Sequence, residues 1–87
     1  MSNIALVSGA NQGIGYEIAK QLSQTPDYHV FLGSRDLDKG KIAAAQIQGN
    51  GGSIEAIQLD VTDRKSLSAA RQCIKTRFDR LDVLVSV

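Results

Sequence analysis

Apolar residues fall along this chain in two alternating styles. Short, mostly apolar runs read as strands: Ile4-Ala5-Leu6-Val7, His29-Val30-Phe31-Leu32-Gly33-Ser34, Ile54-Glu55-Ala56-Ile57-Gln58-Leu59 and Val83-Leu84-Val85. The first is apolar at every position, the pattern of a strand buried on both faces. Between the runs lie longer stretches with helical spacing: Ile14, Ile18, Ala19 and Leu22, then Leu37, Ala43, Ala44 and Ile47, then Leu67, Ala70, Ile74 and Phe78. Each set predicts a helix with one face on a core. Pro26 and Asp27 mark the turn after the first helix. Asp36 and Asp63 stand where N-caps of the second and third are needed, and Gly49-Asn50-Gly51-Gly52 closes the second, glycine accepting the left-handed backbone of a helix end.

The order βαβαβαβ, with helices between successive strands, calls for a parallel sheet with right-handed crossovers. The predicted fold is one α/β, Rossmann-like unit over residues 1–87, an incomplete sheet of four parallel strands with helices on both faces. The first two helices belong on one face and the third on the other. A chain of this size buries only about two-thirds of its unfolded surface. The apolar edge Val83-Leu84-Val85 invites pairing with another chain, so a marginally stable or self-associating domain is expected.

Composition narrows the function classes. The chain is 43% hydrophobic and 22% charged, with ten basic against nine acidic residues spread along it, so no basic run points to nucleic acid. No segment approaches the roughly twenty apolar residues that span a bilayer, and Met1 to Ser8 has no basic stretch leading into a long apolar one. A soluble, cytoplasmic protein is expected. The single cysteine, Cys73, excludes an internal disulfide, and one histidine, His29, cannot assemble a metal cluster, so no metal site is assigned. Cys73, beside the apolar stripe of the third helix, is expected to be a small buried hydrophobe, and His29 to face solvent at a strand start.

Candidate chemistry concentrates in Gly9-Ala10-Asn11-Gln12-Gly13-Ile14-Gly15, between the first strand and the first helix. Gly9 permits a sharp exit from the strand, Gly13 lets the backbone approach a phosphate, and Gly15 lets the helix pack close to the sheet. The helix start then offers free N–H groups to a pyrophosphate. Strand before and helix after supply the context that a glycine triplet needs. The alternative is a tight βα turn with no ligand. The spacing here is G-x-x-x-G-x-G, not G-x-G-x-x-G.

Ser8-Gly9-Ala10-Asn11-Gln12-Gly13-Ile14-Gly15 resembles the cofactor loop of the short-chain dehydrogenase/reductase family, and Tyr16-Glu17-Ile18-Ala19 is similar to its carbonyl-reductase branch. Leu59-Asp60-Val61-Thr62 resembles the family's third-strand end, where the acid and the next backbone group meet adenine. Arg80-Leu81-Asp82-Val83-Leu84-Val85 resembles the lead-in to its fourth strand. The resemblance runs in order along the whole chain and corresponds to the family's N-terminal, cofactor-binding part. It implies a nicotinamide dinucleotide held by Ser8, Gly9, Asn11, Gln12, Gly13, Ile14, Gly15, Arg35, Asp60 and Val61, and reduction of a carbonyl or oxidation of an alcohol.

Gly33-Ser34-Arg35 stands where NAD sites carry an acid for the ribose hydroxyls. An Arg fork binds a 2′-phosphate through parallel charge-assisted bonds, whereas a carboxylate repels it. By resemblance Arg35 points to NADP(H) rather than NAD(H). Asp36 has two readings, helix cap or NAD-type acid, and its place at the start of the next helix favours the cap. In the family the Tyr and Lys that do the proton chemistry lie beyond the fourth strand, with Asn-Asn-Ala-Gly following Val-Leu-Val, where this sequence has Ser86 and Val87. Tyr16 and Lys20 copy the Tyr-x-x-x-Lys spacing but sit on the helix after the glycine loop, where the family has no catalytic role for them. No catalytic residue is assigned, and the chain alone is expected to be inactive. A nucleotide-binding module and a truncated remnant stand as alternatives to an oxidoreductase segment.

Overall fold

In a computed structural model, which describes residues 3–9, 13–49 and 51–85, seven elements follow one another: β1 Asn3–Val7, α1 Gly13–Gln24, β2 Tyr28–Ser34, α2 Leu37–Gln48, β3 Ile54–Gln58, α3 Arg64–Phe78 and β4 Val83–Val85. The strands form one parallel sheet in the order β3-β2-β1-β4, with Asn3 opposite Tyr28, Val30 opposite Ile54 and Ala5 opposite Val83. The chain therefore steps outward from β1 to β3, then returns across the sheet to lay β4 on the other side of β1.

That reversal explains the unbroken apolar run in β1. Flanked by strands and covered above and below, Ile4, Ala5, Leu6 and Val7 are all buried, and alternate side chains feed two separate cores. Ala5 and Val7 join Val30, Leu32 and Ile54 against Ala19 of α1 and Ala43, Ala44 and Ile47 of α2. Ile4 and Leu6 join Phe31 against Leu59 and Ala70 and Ile74 of α3. Two helices lie on one face and one on the other, as the crossovers require. The strand bounds differ from the sequence reading by a residue: β2 begins at Tyr28, and β3 ends at Gln58, with Leu59 buried just past it.

The caps are local chemistry and form as read. Asp36 Oδ1 accepts from the Asp38 and Lys39 amides (3.0 and 3.3 Å), and Asp63 Oδ1 accepts from the Lys65 amide (2.9 Å). At the end of α2, Gly49 itself is right-handed, with φ −60°, and the left-handed residue is Gly51 at φ 90°. Asp79 takes the left-handed conformation that ends α3 and returns its amide to Lys75 O.

Three placements correct the sequence reading. Ile14 does not sit on the inner face of α1; it is 72% exposed. It is the second residue of that helix, and the buried face begins one residue later with Gly15 and continues through Ala19 and Ser23. Cys73 is exposed. The buried stripe of α3 is narrow, carried by Ala70 and Ile74, and one step back from Ile74 turns the side chain by about 100°. His29 is half-buried rather than turned to solvent, its side chain 22% exposed. It shares a sheet face with Phe31, two residues on, and its ring lies edge-on to Phe31 at 5.2 Å and 5.3 Å from Phe78. Its Nδ1 lies 2.8 Å from Ser53 Oγ. Beside it Arg77 pairs with Glu55 at 2.7 Å and lies over both phenyl rings, fastening the end of α3 to β2 and β3. Among the described residues no helix is long and apolar enough to cross a membrane.

Candidate functional site

The carboxyl ends of β1, β2 and β3 open onto one groove of about 950 Å³, walled by Gly9, Arg35, Lys39, Asp60, Val61 and Lys65 among others. Its lining also includes the polar Ser34, Asp36 and Ser66. Ser8 is buried and donates its amide to Val85 O (2.9 Å), tying the exit of β1 to β4. Gly9 then turns into the left-handed region at φ 63°, and Gly13 does so again at φ 67°, where α1 opens. A Cβ on Gly13 would meet nothing within 4 Å. Glycine is needed there for its backbone conformation. Gly15 is buried against the sheet and Ile14 is exposed. Asn11 and Gln12, also named from the sequence, lie outside the described residues.

The second wall begins at Ser34, whose buried hydroxyl donates to Asp36 O (2.8 Å) and sets the turn after β2. Arg35 leaves that turn with its side chain 78% exposed and Nε 4.0 Å from Asp60 Oδ2. The Asp36 carboxylate is occupied by the α2 amides, which is the helix-cap reading.

The third wall is the turn between β3 and α3, pinned through the amides of Leu59, Asp60, Thr62 and Asp63. Leu59 N donates to Ser34 O (2.9 Å), Asp60 N to Ser66 Oγ (2.9 Å) and Asp63 N to Asp60 O (3.0 Å). Asp60 Oδ1 takes both the amide and the hydroxyl of Thr62, at 3.0 and 2.6 Å. The Thr62 hydroxyl, then its amide, then the Arg35 guanidinium hold the Asp60 carboxyl below the usual carboxylate range. Two groups of this turn bear on a ligand. Asp60 Oδ2 accepts no hydrogen bond among the described residues and has the Arg35 guanidinium 4.0 Å away. The Val61 amide donates to no partner among the described residues. A trans peptide sets its C=O and N–H in opposite directions; since Asp60 O is turned toward Asp63 N, the Val61 N–H is directed away from that bond. An acceptor and a donor thus stand on adjacent residues of a turn lining the groove.

Ser66, Thr62, Lys39 and Lys65 belong to this arrangement and were not singled out from the sequence. Thr62 had a signal, since Asp-x-Thr is an Asx-turn spacing; Ser66 had none. Tyr16 packs against the α1–α2 core and its hydroxyl donates to Gln46 Oε1 (3.4 Å). Its phenol is placed between the two helices. At the opposite end of the sheet, Asp82 Oδ2 accepts from Ile4 N (2.7 Å), and its bonds to Arg80 and Ile4 hold its carboxyl below the usual range.

The family model for short chain dehydrogenases matches residues 3–87. The chain belongs to that family. It is 40% identical over 85 residues to NADPH carbonyl reductase 3 of Homo sapiens, an alignment covering 98% of this chain and 31% of that protein. Menthone neomenthol reductase from Mentha piperita superposes with a TM-score of 0.91 at 39% identity, over 100% of this chain and 31% of that one. A metagenomic short-chain oxidoreductase in complex with NADP superposes with a TM-score of 0.85 at 30% identity, over 97% of this chain and 38% of that one. The short-chain dehydrogenase segment described here thus spans about a third of the length of the proteins that it matches.

Proposed function

We propose that this chain carries the adenosine-phosphate side of an NADP(H) site in an oxidoreductase that interconverts a carbonyl and an alcohol. The observation that carries the reading is the placement of Arg35 and Asp36. The guanidinium is exposed at the groove with Asp60 Oδ2 4.0 Å away, while the neighbouring acid caps α2. A free acid at that position would favour unphosphorylated ribose; a free Arg fork favours a 2′-phosphate. The carbonyl reductase relative is named for NADPH, and the metagenomic neighbour was solved with NADP, which supports the same choice.

The remaining residues fit the cofactor. Asp60 Oδ2 and the Val61 amide offer the acceptor and donor that the adenine amino group and ring nitrogen require. Ser8, Gly9, Gly13, Ile14 and Gly15, with Asn11 and Gln12 between them, would carry the pyrophosphate toward the start of α1. When bound, the nicotinamide supplies or accepts the hydride. This chain's residues orient the far end of that molecule, and none is assigned the proton transfer. Residues 1–87 act as one unit in this reading.

The test is a thermal titration of the purified chain with NADP+ and, separately, NAD+. A ligand that binds only the folded state stabilises it by about 2.7 kcal/mol at a hundredfold excess over its dissociation constant. The midpoint is expected to rise with NADP+ at concentrations where NAD+ leaves it in place. Equal shifts would remove the assigned role of Arg35, and no shift with either would remove the cofactor site.

A second property follows from β4. It pairs with β1 on one side only, and Leu84 at its centre is 45% exposed. An open apolar edge pairs with its own kind, so the 87-residue chain is expected to sediment as a concentration-dependent mixture of monomer and oligomer. A single monomer species across a tenfold concentration range, roughly the span over which a micromolar association would show, would contradict this.

A further inference from the structure

We infer that Ser66, on the first turn of α3, is a positioning residue for adenine recognition: its hydroxyl holds the Asp60–Val61 turn in the one orientation that presents acceptor and donor together. The inference rests on the cofactor reading above and adds to it the residue that sets the discrimination of the base.

The turn from Leu59 to Asp63 has two peptide units that aim its acceptor and donor. The unit joining Asp60 to Val61 is fixed by the bond from Asp63 N to Asp60 O, 3.0 Å. Among the described residues, the unit joining Leu59 to Asp60 is fixed at its N–H by Ser66 Oγ alone, 2.9 Å. Rotation of that second unit swings the Asp60 Cα–Cβ bond and the carboxylate with it, because the peptide moves as a plane. Thr62 holds Oδ1 but belongs to the same turn, so it travels with the turn and cannot anchor it. Ser66 does not travel. Its helix is fastened to the sheet through Ala70 and Ile74 and through Arg77 at its far end. Leu59 N is tied to Ser34 O on β2 and Arg35 stands 4.0 Å from Oδ2, but the Asp60 amide itself is joined to a rigid body through the Ser66 hydroxyl.

Removing it leaves the Asp60 amide without its acceptor at a partly buried site. The turn can recover by rotating that amide toward water, which misaligns Oδ2 and the Val61 N–H. A purely structural serine would lower stability and leave base discrimination intact. A positioning serine lowers the discrimination itself.

The experiment measures dissociation constants for NADP+ and for its hypoxanthine analogue, in which the adenine amino donor is replaced by a carbonyl and the adjacent ring nitrogen carries a proton. The wild-type chain is expected to prefer NADP+ by about 30-fold, the scale of two net hydrogen bonds. Ser66→Ala is expected to bring the two within about twofold, chiefly by weakening NADP+, and Ser66→Thr to restore the preference by restoring the hydroxyl. If Ser66→Ala does not fold, Ser66→Cys, isosteric but a weak acceptor, takes its place with the same expected loss. Undiminished preference in the folded variant overturns the positioning role while leaving the cofactor reading untouched. Wild-type binding without preference also overturns it, since no base reading exists to be positioned. Absence of any wild-type binding overturns the cofactor reading and this inference with it.

Discussion

Replacing Arg35 with aspartate will reverse the cofactor preference of this chain, moving the ratio of NADP+ to NAD+ affinity by at least about 100-fold. The estimate follows from the bonds at stake. Charge-assisted hydrogen bonds contribute about 1.5–3 kcal/mol each, and an Arg fork makes two to one phosphate. Arg35 is exposed and has Asp60 4.0 Å away, so the lower end applies and a combined loss of about 3 kcal/mol, or somewhat over ~100-fold, is the conservative figure. The new carboxylate adds repulsion toward a 2′-phosphate and an acceptor for free ribose hydroxyls, so NAD+ binding should hold or improve. Arg35→Ala separates the two contributions: it removes the fork without adding the acid, and should weaken NADP+ while leaving NAD+ unchanged. Little stability should be lost in either variant, because the Asp36 cap and the Ser34 hydroxyl that shape this turn stay in place. Fluorescence titration with both nucleotides reads the ratio directly. A ratio that moves by less than about threefold would mean that Arg35 is only a solvated loop residue, the scale expected of a surface charge.

How much of this was legible beforehand depended on how local the physics was. The caps at Asp36 and Asp63 were readable because a cap is decided within three residues, and both bonds form where the sequence placed them. The two-sided burial of β1 was readable because only a strand covered on both faces carries four apolar residues in succession. The topology followed from element order and the handedness of crossovers, and the two cores separate as that rule requires. Misplaced residues were those whose environment is set by a partner distant in sequence. His29 was read from its place at a strand start, but the face it takes is covered by Phe78 and Arg77 of α3. Ile14 has helical spacing to Ile18, yet helix period says nothing about where the sheet below the helix ends. Ser66 reads as an ordinary polar residue in a first turn; its bond to Asp60 N depends on how sharply the chain bends between β3 and α3. Within the candidate site, glycine spacing and the Arg35 position were visible as motif, whereas the pairing of Asp60 Oδ2 with the Val61 amide needed the peptide orientations.

Ile74 and Cys73 offer the sharpest separation of neighbours in the molecule, and truncating each to alanine should give opposite results. Ile74 is fully buried, at 0% exposure, in the core between α3 and the β1–β2 surface, together with Ile4, Leu6, Phe31, Leu59 and Ala70. Its truncation removes three carbons from a site whose neighbours are held by the sheet and cannot collapse inward, and such changes cost about 2–5 kcal/mol. A domain of this length has about 4–13 kcal/mol in total at typical per-residue stability, so Ile74→Ala should lower the thermal midpoint by ~10 °C or more. Cys73→Ala should move it by no more than a few degrees, as for surface changes within about 0.5 kcal/mol. The consequence reaches the groove. α3 is the only helix on its face among the described residues, and its first turn carries both the Asp63 cap and the Ser66 hydroxyl that fix the turn beside Arg35. Loosening its middle should therefore weaken NADP+ binding as well as stability, by a route that leaves every groove-lining side chain in the sequence. Urea denaturation with and without NADP+ distinguishes the effects. A smaller ligand-induced shift of the midpoint in Ile74→Ala than in wild type would show that the docking of α3 maintains the groove. An unchanged shift on a lowered baseline would show instead that the groove is held by the turns alone, with α3 serving only to cover the sheet.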